Sequence, residues 1–229
     1  MNDFMRYIFA FLLIIYSSAC YAQKELLKWS GIQRYSIENN SIVKADVVFI
    51  GNSITDNWMK YHPDFFIQNN YIGRGISGQT SYQFLLRFRE DVIKLGPQIV
   101  VINAGTNDIA ENCGQYVEEY TLGNIISMVE LAEANGIKVC LSSVLPALAF
   151  KWNLSITDVV IKIKSLNKRI KEYAEDNDIP YIDYYEKMVN SSDGSMKTDY
   201  TRDWVHPNLD GYYVMESVVK PILDELMYK

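Results

Sequence analysis

Asp46 to Thr55 reads DVVFIGNSIT: a short, unbroken apolar run that closes on Gly51 and turns at once into polar residues. Such runs suit strands buried on both faces, as in parallel sheets. Working outward, Asn70 to Gly73 is a weaker short strand, and Ile99 to Asn103 (IVVIN), Ile137 to Ser142 (IKVCLS) and Ile179 to Asp183 (IPYID) are further ones. Between them, Ser81 to Leu95 places Phe84, Leu85, Phe88, Val92 and Leu95 at spacings of three and four, which predicts an amphipathic helix. Gln115 to Asn135 and Ile156 to Asp176 read the same way, with helix ends at Asn135-Gly136 and Asn177-Asp178. Pro207 is expected to open a final helix to Met227, because proline is tolerated in a first helical turn. Glu25 to Asn39 is partly helical in pattern, with Leu26, Leu27, Trp29, Ile32 and Tyr35. Strands alternating with helices imply a parallel sheet covered on both faces, and right-handed crossovers favour a doubly wound, three-layer α/β/α sandwich.

Composition narrows the function. The chain has 229 residues and a formal charge of -6, against a nucleic-acid partner, which needs a basic face. It has two histidines, His62 and His206, which argues against a His-rich metal site and leaves two candidates for an imidazole base. Cys140 sits in an apolar run and is expected in the core, and no disulfide is signalled. No repeat or linker divides the chain. Arg6 precedes the apolar run Tyr7 to Tyr16, too short to span a bilayer, and small residues follow. Residues 1–22 therefore read as a cleaved signal peptide, leaving one domain over 23–229 in a secreted or periplasmic protein. The second choice is a lipoprotein anchored at Cys20, since Ser18-Ala19-Cys20 resembles a lipobox without its usual Leu.

Polar residues and glycines gather where strands end, the place where ligands bind in open α/β sheets. The blocks are Gly51-Asn52-Ser53-Ile54-Thr55, Gly75-Ile76-Ser77-Gly78-Gln79-Thr80, Gly105-Thr106-Asn107-Asp108 and Asp203-Trp204-Val205-His206-Pro207. In order and spacing they resemble the four blocks of the SGNH hydrolases, the GDSL esterase/lipase family, over nearly the whole chain from Asp46 onward. Within it the sequence is similar to bacterial secreted acylhydrolases and to platelet-activating-factor acetylhydrolase catalytic subunits, a likeness carried by IVVINAGTND and the Arg89–Pro97 join before it.

The resemblance implies that Ser53 is the nucleophile, His206 its general base and Asp203 the partner that orients the ring. It implies an oxyanion hole from the N–H groups of Ser53 and Gly78 and the side-chain amide of Asn107, with no metal and no cofactor. Asn52 departs from the Asp of the family's name-motif. The physical logic is consistent: a serine hydroxyl needs an adjacent base, and the negative oxygen of the tetrahedral intermediate needs donors. A flavodoxin-like strand order 2-1-3-4-5 would set Ser53, Gly78 and Asn107 above three adjacent strands. The long connection Tyr184 to His206 would return the Asp203–His206 pair across the top.

The rival base, His62, has no counterpart in the family and reads as surface or pocket rim. Trp58 is a candidate substrate-binding residue, with the core or a lid as its equal reading, and Phe150 and Trp152, in the Pro146-containing loop after the fourth strand, are candidates for the pocket wall. The expected activity is hydrolysis of carboxylic esters with short acyl groups, first on acetylated carbohydrate, then on lysophospholipid or another lipid ester. A non-catalytic glycan-binding module on the same fold is the remaining alternative. The classical α/β-hydrolase elbow, Gly-x-Ser-x-Gly, is not met, because Thr55 stands at its second glycine.

Overall fold

The computed structural model describes Tyr7 and residues 23–228, so the expected leader lies outside the described residues apart from Tyr7. Five parallel strands form one sheet in the order β2-β1-β3-β4-β5: β1 Val47–Gly51, β2 Tyr71–Gly75, β3 Ile99–Ile102, β4 Lys138–Ser142 and β5 Tyr181–Ile182. Residues 23–30 are helical (α1), and α2 Ser36–Asn39 follows. The other helices are α3 Ser53–Tyr61, α4 Pro63–Gln68, α5 Ser81–Asp91, α6 Thr106–Ile109, α7 Glu118–Glu133, α8 Val159–Asp176, α9 Tyr184–Met188 and α10 Leu209–Met227.

Alternation along the strands sorts the core into two layers, because successive side chains point to opposite faces. Val48, Ile50, Val100, Ile102, Val139 and Leu141 meet α5, α7 and α8 on one face. Val47, Phe49, Ile99, Val101 and Cys140 meet α3, α4, α9 and α10 on the other. Both faces are therefore dry, as the continuous apolar run of β1 requires. Cys140 is fully buried, and burial pushes its thiol up to about 12. The chain leaves β1 for β2 through α3 and α4 on one face, then reaches β3 through α5 on the other. The change of direction opens the crevice above β1 and β3 that a doubly wound sheet offers to ligands.

Several boundaries differ from the sequence expectation, each for a physical reason. Strand β2 runs from Tyr71 to Gly75, past the expected end at Gly73 and through Arg74. The guanidinium is buried against the Tyr35 ring at 4.5 Å and donates to Glu38 Oε1 and Asn39 Oδ1, both at 2.9 Å. Strand β5 is two residues long: Pro180 brings no N–H to its start, and Asp183 caps α9 by accepting from Glu186 N at 3.1 Å. Pro207 does not open α10. It pairs with Thr201 ahead of the helix, and Asn208 is the cap, accepting from Gly211 N at 2.9 Å. The helix expected to Leu95 ends at Asp91 and tightens into a 3-10 turn, Ile93–Leu95. Helices α7 and α8 start three residues late, at Glu118 and Val159. The connection from Tyr184 to His206 is not a bare loop: it holds α9, a Val189–Met196 bridge and a 3-10 turn, Thr198–Tyr200. Among the described residues no helix is long and apolar enough to cross a membrane.

Candidate active site

Ser53 is the first residue of α3, directly beyond β1. Asn52 caps the helix, its Oδ1 accepting from Ile54 N at 2.9 Å, so the residue that departs from the family motif keeps a capping role. The first N–H groups of a helix have no partner within it and point outward, which leaves the Ser53 N–H free to meet an anion. The same helix separates two jobs by its period. Ile54 and Trp58 face the core, whereas Ser53 and Asn57 face a cleft of about 450 Å³.

The C-terminal block reaches that cleft from above. Ser53 Oγ lies 2.8 Å from His206 Nε2, and His206 Nδ1 lies 2.8 Å from Asp203 Oδ2. A tight turn holds the pair. Asp203 Oδ1 accepts from the backbone N–H of His206 at 2.8 Å and of Val205 at 3.1 Å. Thr201 Oγ1 donates to His206 O and accepts from Trp204 N, both at 2.9 Å. The cost is a left-handed backbone at Trp204, φ +77°. Partial burial works to raise the Asp203 pKa, but bonds from the His206 backbone, the His206 ring and Val205 outweigh it and hold the carboxyl below its ordinary value. The carboxylate therefore stays charged beside the imidazole.

Gly78 and Asn107 form the opposite wall. Gly78 sits at φ +82°, a conformation that favours glycine. Asn107 Nδ2 gives one hydrogen to Gln79 O at 2.9 Å, which orients the amide and leaves its other hydrogen unspent. Ser53, Gly78, Asn107, Asp203 and His206 are thus brought together from four separate blocks. A scissile carbonyl beside Ser53 Oγ would find donors on one side and a base on the other.

The three aromatic candidates part company. Trp152 lines the cleft, its ring 6.4 Å from that of His206. Phe150 is fully buried beneath it at 5.2 Å and supports the wall without forming it. Trp58 is a correction: it lies in the core, stacked on Phe65 at 5.2 Å and on Tyr212 at 5.6 Å. Tyr212 in turn donates its hydroxyl to Ile54 O at 2.9 Å, so α10 steadies the helix that carries Ser53.

Sequence reasoning missed several cleft residues. Asn57, Ser77, Asn112 and Arg202 line it. Asn112 donates to Gly78 O at 3.0 Å and accepts from Trp152 Nε1 at 2.9 Å, tying the Gly78 loop to the indole. Its place just after the third block was the available signal. Asp108, in the same block, was assigned no role. It is buried, accepts from Ser81 N at 3.1 Å and from the Ser81 hydroxyl, and so fixes the start of α5 behind Gly78. Burial raises its pKa despite those bonds. Beneath the cleft, buried Arg87 donates to Gln79 Oε1 at 2.7 Å, Asp91 Oδ2 at 2.8 Å and Gly51 O at 3.0 Å, linking the Gly78 loop to the end of β1. Among the described residues no group of three His, Cys, Asp or Glu side chains could hold a metal ion.

Residues 49–214 match the GDSL-like lipase/acylhydrolase family. The crystal structure of a GDSL-like lipase from Bacteroides thetaiotaomicron is 55% identical, with a TM-score of 0.84 over 86% of this chain and 98% of that one. An acetylxylan esterase of Xylanibacter ruminicola is 27% identical over 214 residues, covering 76% of this chain and 42% of the esterase. An uncharacterized lipoprotein of Bacillus subtilis is 26% identical over 155 residues, covering 56% of this chain and 59% of the lipoprotein. The chain spans about half the length of the curated relatives it matches.

Proposed function

Because this chain belongs to the GDSL-like lipase/acylhydrolase family, we propose that it is a serine esterase that removes short acyl groups, acetyl first, from carbohydrate. The observation that carries the proposal is the unbroken chain Ser53 Oγ–His206 Nε2 and His206 Nδ1–Asp203 Oδ2, with 2.8 Å at each step, opening on a donor-lined cleft.

His206 accepts the Ser53 proton as Oγ attacks the ester carbon, and the carbonyl electron pair moves onto oxygen. The N–H groups of Ser53 and Gly78 and the amide of Asn107 receive that charge. The carbon–oxygen bond to the alcohol then breaks, and His206 hands its proton to the leaving oxygen. Water repeats the sequence on the acyl-enzyme, releasing the acid and restoring Ser53. Asp203 holds the ring in the tautomer that presents Nε2 to serine and stabilises the imidazolium that forms.

Two observations favour a small acyl group on a polar alcohol over a lipid. The cleft is lined by Asn57, Ser77, Asn112 and Arg202 around one aromatic ring, Trp152, whereas a long chain needs a continuous apolar wall. A similar protein is an acetylxylan esterase. The test is purified Ser53→Ala against wild type on p-nitrophenyl esters of increasing acyl length. We expect near-complete loss of turnover in the variant and a sharp preference for acetate in the wild type. Unchanged turnover would remove the mechanism, and rates that rise with chain length would remove the short-acyl reading.

We also propose export, with cleavage after Ala22 and a lipidated Cys20 as the second choice; intact mass of the exported chain distinguishes an N-terminal Gln23 from a lipidated Cys20.

A further inference from the structure

A second concavity, of about 1060 Å³, lies beside the cleft and shares Ser77, Gly78 and Asn112 with it. Its far side is the N-terminal segment 24–34, which none of the four chemical blocks includes. That segment is built into place. Gln79 Nε2 donates to Ser30 O at 3.0 Å, and Gln83 Nε2 donates to Trp29 O at 2.9 Å. Directly after them Gly31 sits at φ +68°, a backbone conformation that favours glycine, and a Cβ there would push on the Gln79 amide at 2.4 Å. Gln79, next to Gly78, and Gln83 thus also hold the backbone at Ser30 and Trp29, and Trp29 is 43% exposed and lines the groove.

The contents of the two spaces complement each other. An acetyl group is small, and what extends beyond the cleft must belong to the alcohol. The groove offers an aromatic face together with the donors of Lys24, Lys28, Gln33 and Arg34. Those side chains are exposed to water, so an acyl chain laid along the groove would displace water from them without replacing its hydrogen bonds, at a cost in affinity. A sugar chain satisfies both features: its C–H faces pack on indole, and its hydroxyls pair with amides and cations.

We propose that this groove binds the oligosaccharide that carries the acetyl ester, with Trp29 as the stacking platform. The proposal rests on the esterase reading above and extends it from the reacting group to the length of the substrate. In physical terms Trp29 is a specificity-determining residue that acts through KM on long substrates.

The test uses the full mature chain with acetylated xylohexaose, acetylated xylose, p-nitrophenyl acetate and p-nitrophenyl decanoate. Wild type, Trp29→Ala and Trp29→Phe are compared after each sugar rate is normalised to that protein's p-nitrophenyl acetate rate. We expect wild type to prefer the hexasaccharide, through KM, and Trp29→Ala to lower that preference about tenfold, the size of one well-packed aromatic contact. Trp29→Phe should keep most of it. An undiminished preference in Trp29→Ala overturns the proposal, and so does a selective loss on the decanoate, which would make the groove an acyl-chain site. If wild type cleaves p-nitrophenyl acetate but neither sugar ester, the carbohydrate reading itself fails. If it cleaves both sugars equally, only the groove assignment fails.

Discussion

Two histidine–carboxylate pairs flank the contact between α3 and α10, one at each end, and only one of them is equipped for chemistry. At one end Ser53 opens α3, and the Asp203–His206 turn lies just ahead of α10. At the other, His62 closes α3, and its Nδ1 lies 2.7 Å from Glu216 Oε1 on α10. The nitrogen–oxygen distances are nearly the same, 2.8 Å against 2.7 Å. What differs is the surroundings. The second ring nitrogen of His206 meets a hydroxyl and a cleft. The His62 ring stands edge-on to Tyr213 at 5.1 Å, and among the described residues no hydroxyl bonds it. Asp203 is held by backbone N–H groups, whereas Glu216 Oε1 also accepts from the buried indole of Trp58 at 2.9 Å. A histidine beside a carboxylate is thus a generic polar device. A nucleophile on the far nitrogen, with oxyanion donors opposite, makes it a candidate machine.

The largest effects should break the first pair. Ser53→Ala and His206→Ala should each lower kcat by roughly 10⁴–10⁶-fold, and the double variant should fall no further, because groups that act as a unit are not additive. Steady-state kinetics on p-nitrophenyl acetate checks this. Losses that multiply in the double variant would show the two residues working independently.

Asp203→Asn should cost less, on the order of 10²–10⁴-fold, since serine and base remain while the tautomer is no longer enforced. It should also change stability in a pH-dependent way. The Asp203 carboxyl lies below its ordinary pKa in the folded chain, so its contribution is present above the ordinary carboxylate value and is lost as pH falls through the lowered one. Denaturation midpoints of wild type and Asp203→Asn should therefore differ at neutral pH and converge in acid. A gap that widens in acid would contradict the hydrogen-bonding account of this turn.

Next comes the donor wall. Asn107→Ala should lower kcat by about 10²–10³-fold, with a smaller effect on KM, because the lost donor serves the developing charge. An effect confined to KM would make Asn107 a ground-state contact.

The first pair was legible in the sequence and the second was not, for reasons of distance and period. Ser53, Gly78 and Asn107 each follow a strand, so pattern places them at one edge of the sheet, and the resemblance to the SGNH hydrolases assigns their roles. Asp203 and His206 share one turn. His62 and Glu216 are 154 residues apart and lie in no motif, so only the packing of α3 on α10 reveals them. Trp58 stays open between pocket and core in the sequence because aromatic content does not say which face of a helix is wet. Its spacing of four from Ile54, against the polar Ser53–Asn57 pair, held the answer. Arg74 hid the end of β2 because its partners, Glu38 and Asn39, come from a segment whose position the sequence leaves open.

The smallest effect on activity should come from the second pair, and it is the sharpest check on the contrast. Removing Glu216 takes the acceptor from Trp58 Nε1 in a site where the indole is 2% exposed. An unsatisfied buried donor costs about 1–3 kcal/mol, so Glu216→Ala should lower stability by that order. Glu216→Gln keeps an acceptor and should lose less. His62→Ala should lose least in stability, since its ring lies toward the surface and Glu216 still serves Trp58. Because the pair sits at the far end of α3 from Ser53, kcat/KM on p-nitrophenyl acetate should move by less than about twofold in all three. A tenfold fall for His62→Ala at unchanged melting temperature would give the second histidine a share in the reaction.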